Sequence, residues 1–195
     1  FKSLTITFAT IASLVSTSIS PSGTVTVIWP NRHSSSAFTV SSFNTKLSLL
    51  CDSAPIDVNK WLNDRLNRTE FMPFAPVVLK KDYSKYFYFS EKKHINTFNM
   101  TITVKCKKIT KKKAPAIVHV DSTARPQIVD QKINSNMYNI LKSYKKFSKI
   151  PILINTSLNV HEEPIVSNEN DALRAFKSSN LDYLFVDGCL YTHDN

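Results

Sequence analysis

Two glycines, Gly23 and Gly188, are all that this chain of 195 residues contains, whereas soluble proteins average about 7%. Loops that cradle phosphates with backbone amides, of the G-x-x-x-x-G-K-[ST] or G-x-G-x-x-G kind, need several glycines for close approach. Neither can form here. Any phosphate this chain binds must be held mostly by side chains such as Arg, Lys, Ser and Asn. The charge favours such ligands. Lys and Arg number 25 against 15 Asp and Glu, a net +10, which attracts anions without choosing among nucleotides, phosphate esters, nucleic acid and acidic proteins. A hydrophobic content of 42% is ordinary for globular material and suffices for one good core.

Other chemistries are narrowed by what the motifs lack. Cys51, Cys106 and Cys189 are scattered with no C-x-x-C between them, which argues against a disulfide framework or zinc site and for reduced thiols in a cytoplasmic protein. His161-Glu162-Glu163 lacks the second histidine of H-E-x-x-H, so that metalloprotease helix is excluded. Triplets at Asn67, Asn99 and Asn155 match the glycosylation pattern, which carries no weight without a secretory context. Residues 4–16 follow Lys2 like a signal core, but Thr and Ser interrupt them and no A-x-A site follows. No run suits a transmembrane helix.

The chain divides near residue 46. Residues 1–45 begin with Phe, are rich in Ser and Thr and show no helical period, so they are expected to be an irregular N-terminal remnant with at most a strand at 24–29. Residues 46–195 are orderly. Val58, Trp61, Leu62 and Leu66 have helical spacing behind a candidate cap, Asp57. Pro73 and Pro76 make 71–79 extended or strand-edge. Alternation of Phe98, Met100, Ile102, Val104 and Cys106 with polar residues predicts a half-buried strand. A second strand is expected at 116–120. Six lysines crowd the connection between the two. They read either as a solvated hairpin that discourages edge pairing or as a funnel for a polyanion. The lack of interleaved aromatics favours the hairpin.

Met137, Ile140, Leu141, Tyr144 and Phe147 mark an amphipathic helix. Ser167 or Asn168 caps another through Phe176, and strands follow at 182–186 and 189–192, joined by Asp187-Gly188. Strands alternating with helices predict one mixed α/β (α+β) domain. Its most informative stretch is the apolar strand candidate Ile150-Pro151-Ile152-Leu153-Ile154 and the uncharged polar run Asn155-Thr156-Ser157-Leu158-Asn159. Ligands of open α/β sheets sit beyond the carboxyl ends of strands, so Asn155, Ser157 and Asn159 either hold a ligand or make turns.

Four blocks then carry a family resemblance. Arg68-Thr69-Glu70-Phe71-Met72-Pro73-Phe74-Ala75-Pro76 is similar to R-E-x-F-R-P-F-A-P, and Pro115 to Gln127 is similar to P-A-x-x-H-V-D-G-T-A-R-x-Q. Residues 151–159 are similar to P-x-L-x-N-T-S-F-N, and Glu163-Pro164-Ile165-Val166 with Asp171-Ala172-Leu173 to E-P-I-V…D-A-L. In this order, over 46–192, they resemble the C-terminal, YrdC-like domain of the NodU/CmcH-type O-carbamoyltransferases. The resemblance implies a YrdC-like twisted sheet flanked by helices that binds carbamoyl phosphate and ATP, with Mg²⁺, and forms a carbamoyl-adenylate. It also implies transfer to a hydroxyl acceptor by a larger N-terminal Kae1-like domain with an iron site, expected to be missing here or supplied by a separate chain.

Arg125 matches the arginine expected to grip phosphate, for which a guanidinium fork is suited. Asn155, Ser157 and Asn159 match N-T-S-x-N, which also resembles the S-x-N signature of YrdC-like nucleotide sites. Arg68 is a further phosphate contact, and His119, with Asp121, either positions ligand or is a core histidine. The chain departs from the pattern at Met72, in place of arginine, and at Leu66, where a lysine is usual. The upstream G-P-R-A-L-G-N-R block is not recognisable, which predicts weakened anion binding. A non-catalytic RNA- or nucleotide-binding module, or an inactive fragment, is the alternative, with no membrane partner in either case.

Overall fold

The computed structural model describes residues 3–5, 30–31, 34–35, 37–42, 45–68, 74–88, 100–160, 162–186 and 189–192. The strands are β1 (Ser3–Thr5), β2 (Pro30–Asn31), β3 (Ser34–Ser35), β4 (Ala37–Ser42), β5 (Thr45–Asp52) and β6 (Ala75–Leu79). They continue as β7 (Val104–Lys105), β8 (Thr123–Ala124), β9 (Gln127–Val129), β10 (Ile152–Ser157), β11 (Tyr183–Val186) and β12 (Cys189–Thr192). Among the described residues the helices are α1 (Val58–Arg65), α2 (Lys80–Tyr86), α3 (Lys108–Lys113), α4 (Ser135–Ser148) and α5 (Glu169–Ser178).

Eight strands form one mixed sheet in the order β1-β12-β11-β4-β5-β10-β6-β9. β10 is antiparallel to both of its neighbours, β5 and β6, while β6–β9 and β4–β11 are parallel pairs. The expected mixed α/β class is the one observed. β10 lies deep within the sheet because Ile152, Leu153 and Ile154 are apolar on both faces.

Period two along β10 gives the sheet two different faces. Ile152 and Ile154 enter the main core with Leu49, Cys51, Val78, Val58, Leu62 and Phe176. Leu153, opposite Asp52 and Val77, turns to the other face. There α4 docks, its Tyr144 hydroxyl reaching Asp52. The stripe Met137, Ile140, Leu141 and Tyr144 is buried. The Asn134 side chain caps α4 by accepting from Met137 N at 3.0 Å, and Asn168 caps α5 in the same way from Asp171 N at 2.9 Å.

Several expectations require correction. The first 45 residues are not irregular throughout: β1 and β4 belong to the main sheet, β4 between β5 and β11. The strand expected at 24–29 lies outside the described residues. Residues 116–120 do not form a strand. Pro115–Ile117 is a 3-10 turn, and the pairing partner of β7 is β8, two residues long. The lysine-rich connection is the helix α3, not a hairpin. Its residue Thr110 is buried and its hydroxyl donates to the Tyr86 carbonyl, so a tertiary anchor helps to stabilise a helix that has no apolar stripe.

The alternation expected at 98–106 survives as burial, with Val104 and Cys106 inside and Lys105 outside. Only Val104–Lys105 pair as a strand, and 98–99 lie outside the described residues. β6 is not an edge strand, since β9 flanks it. Pro76 precedes the β9 pairing, which begins at Val77.

Candidate functional site

The end of β10 organises the polar residues. The strand runs through Asn155, Thr156 and Ser157, so these belong to the sheet rather than to a loop after it. Alternation sends Asn155 and Ser157 to one face and Thr156 to the other.

On the first face, Asn155 is only 7% exposed, and its Nδ2 donates to Gln127 Oε1 at 2.8 Å. Gln127 opens β9 and was not singled out from sequence. Arg125 lies two residues before it, at most about 7 Å away between Cα atoms. A residue before proline is held extended, and burial here alternates accordingly. Ala124, Pro126 and Ile128 are buried, while Arg125 is exposed and Gln127 half-buried. Arg125 therefore stands on the same side as Gln127 and Asn155, and no described residue pairs with its guanidinium.

Ser157 Oγ donates to Asn159 Oδ1 at 2.6 Å. Asn159 Nδ2 in turn donates to the carbonyls of Val160 at 3.2 Å and Glu163 at 3.1 Å. Asn159 thus holds the turn after β10, the second of the two roles open to it, and orients the Ser157 hydroxyl. Ser48 stands directly opposite Ser157 on β5.

The loop from His119 to Arg125 is closed by Thr123. Its carbonyl accepts from His119 N at 2.8 Å, and its hydroxyl lies 3.3 Å from His119 Nδ1. The same hydroxyl and its own N–H donate to Asp121 Oδ1, at 2.7 and 2.9 Å. These bonds hold the Asp121 carboxyl below its usual range. Burial lowers His119, and Arg125 adds to that while Asp121 opposes it, so His119 is neutral at pH 7 and offers hydrogen bonds rather than charge. Ser122, at the position of the glycine in the block, has φ 67°, and its Oγ accepts from Lys111 Nζ at 2.7 Å.

Arg68 approaches from the opposite face. Its Nη1 donates to Thr156 Oγ1 at 3.1 Å, and its guanidinium lies 4.9 Å from the centre of the Phe74 ring. Burial lowers its pKa. Of the six residues expected at the site, Arg125, Asn155 and Ser157 share a face, Asn159 backs Ser157, His119 neighbours Arg125, and Arg68 stands across the sheet. Among the described residues no group of three or more His, Cys, Asp or Glu could hold a metal ion. Apart from the Asp121 carboxylate, which Thr123 engages, the groups present are cationic or neutral, and they suit an anion carrying a neutral polar end.

A mixed α/β sheet that brings an arginine, an amide pair and a serine to one face defines the class of the domain by its fold. Residues 45–193 match the family described as Carbamoyltransferase C-terminus, and the chain belongs to that family. It is 37% identical over 144 residues to the nodulation protein NolO of Bradyrhizobium diazoefficiens, spanning 71% of this chain and 25% of that protein. It is likewise 37% identical over 145 residues to an uncharacterised protein of Methanocaldococcus jannaschii, spanning 73% of this chain and 23% of that one. The chain thus spans about a quarter of the length of these relatives. The fold is similar to that of full-length HypF in its phosphate- and nucleotide-bound form, with a TM-score of 0.61 at 18% identity over 77% of this chain and 22% of that one. Among the described residues no helix is long and apolar enough to cross a membrane.

Proposed function

We propose that this domain binds carbamoyl phosphate and ATP and makes a carbamoyl-adenylate for O-carbamoylation of a hydroxyl acceptor. The observation that carries the reading is the joining of two separate sequence blocks at one place. The Asn155–Gln127 bond ties the strand that bears Ser157 to the segment that bears Arg125, which no described residue pairs. Water cleaves carbamoyl phosphate to carbamate and inorganic phosphate. A carbamate oxygen then attacks the α-phosphorus of ATP, the bond to the β-phosphate oxygen breaks, and pyrophosphate leaves. Arg125 holds phosphate oxygens, Ser157 Oγ, its proton held by Asn159 Oδ1, accepts from a ligand N–H, and neutral His119 positions the Arg125 loop. Asn159 and Asp121 fix backbone around them. Mg²⁺ would arrive on the ATP phosphates, which would hold it themselves, and would neutralise part of their charge. Catalysis is positioning and charge stabilisation. Transfer to the acceptor is assigned to a Kae1-like domain or chain that carries the iron.

The test is pyrophosphate release from ATP by the purified chain, with and without carbamoyl phosphate, alongside isothermal titration of each ligand. Binding of both ligands and carbamoyl-phosphate-dependent pyrophosphate release support the reading. Binding of neither defeats it.

One observation favours a second reading. Lys108, Lys111, Lys112 and Lys113 are all exposed on α3, and with the net +10 they suit a nucleic-acid-binding module without catalysis. RNA affinity falling steeply with salt, and unaffected by carbamoyl phosphate, would favour it.

A further inference from the structure

The Asn155–Gln127 bond joins strands that are not neighbours. β6 runs between β10 and β9, a span of about 9.6 Å at ordinary strand spacing. On β6, Ala75 stands opposite Asn155 and Val77 opposite Gln127, so the contact runs diagonally across the strand, where the single Cβ of Ala75 leaves room for it. Each amide commits one group to the other, at 2.8 Å. That leaves Asn155 Oδ1 and Gln127 Nε2 engaged by no described residue. Turning both amides over exchanges the two ends, yet one acceptor and one donor still remain.

A carbamoyl group, O=C–NH₂, presents a carbonyl acceptor and an N–H donor side by side in one plane. That is the complement of the open amide pair, and it is neutral, as the pair is. The phosphate end of the same ligand needs a cation, which Arg125 supplies on the same side. An acetyl group has the same carbonyl and a methyl where the amino group would be. It would leave Asn155 Oδ1 facing carbon, and sites built to bond an N–H reject analogues that lack one.

Resting on the carbamoyl phosphate reading above, we propose that Asn155 and Gln127 read the carbamoyl end of the ligand, Asn155 accepting from its N–H while Gln127 donates to its carbonyl and keeps Asn155 turned outward. The pair selects carbamoyl phosphate over other acyl phosphates. Gln127 is then both a ligand contact and the positioning residue for Asn155.

The test is isothermal titration of the chain at low temperature with fresh carbamoyl phosphate and with acetyl phosphate. The expected preference for carbamoyl phosphate is about tenfold or more. Asn155→Leu keeps size in an apolar strand and removes the acceptor, and its preference should fall to within about twofold. Gln127→Met frees Asn155 to turn either way and should lower the preference too, an effect that a merely structural role would not produce. Equal wild-type binding of both phosphates overturns this inference and leaves the carbamoyl phosphate reading standing. So does a preference retained in folded Asn155→Leu. Should Asn155→Leu fail to fold, the wild-type ratio and Gln127→Met decide. Wild-type binding of neither phosphate overturns both.

Discussion

Tyr144 Oη donates a 2.6 Å hydrogen bond to Asp52 Oδ1 beneath the sheet, while Asp52 Oδ2 is buried without a partner among the described residues. Ala54 N also donates to Oδ1, at 2.9 Å. Burial pushes the Asp52 carboxyl up, and the Tyr144 hydroxyl pulls it back. A carboxyl raised in the folded state contributes stability that is full below about pH 4, its unfolded value, and is lost as pH rises through the folded value. Tyr144→Phe removes the donor that best tolerates the charged form. It should cost about 1–3 kcal/mol at pH 7 and less at pH 4, as urea denaturation at the two pH values would show. An equal loss at both would mean that Asp52 does not titrate in this range.

Arg125 is exposed and unpaired among the described residues. Arg125→Ala should leave the melting temperature unchanged and weaken ATP and carbamoyl phosphate binding about tenfold or more, since charge-assisted hydrogen bonds are worth about 1.5–3 kcal/mol. Titration calorimetry beside a melting curve separates the two effects.

Arg68 should behave in the opposite way. Its guanidinium is occupied by Thr156 and the Phe74 ring on the face away from Asn155. Arg68→Ala should cost about 1–2 kcal/mol of stability and change ligand affinity less than about threefold. A large affinity loss in a stable variant would return Arg68 to the binding site.

Ser122 carries a left-handed backbone, φ 67°, where the family block has glycine. Ser122→Gly should raise stability by up to about 1 kcal/mol by relieving the Cβ clash, partly offset by loss of the exposed Lys111 bond. A thermal melt reads it, with a rise of about 2–4 °C as the upper bound.

What was legible in the sequence had a long period behind it. Helices α1, α4 and α5 and the buried run of β10 each rest on several apolar residues at fixed spacing, and Asn168 is a cap with its own local bond. The failures were short elements decided by distant partners. Nothing local distinguishes a strand at 116–120 from the observed 3-10 turn, and α3 is anchored by the carbonyl of Tyr86, 24 residues away. Among the site candidates, the motif letters named Arg125 and Asn155. They could not say that Gln127 completes Asn155, because that contact crosses an intervening strand and spans 28 positions. Nor could they separate Arg68 from its motif mates, since the face on which a side chain emerges depends on pairing register.

Asn155, Thr156 and Ser157 alternate across a sheet whose two sides do different jobs, and the fold has no way to adjust one without the other. Losing or gaining a single residue between Lys149 and Asn155 would invert the order of this strand end, turning Thr156 toward Gln127 and both Asn155 and Ser157 toward Arg68. The apolar residues ahead of them could still fill either layer, because Ile152, Leu153 and Ile154 are interchangeable in character. Such a chain would lose the Asn155–Gln127 bond, so β10 tolerates changes of composition along its apolar run far better than a change of length.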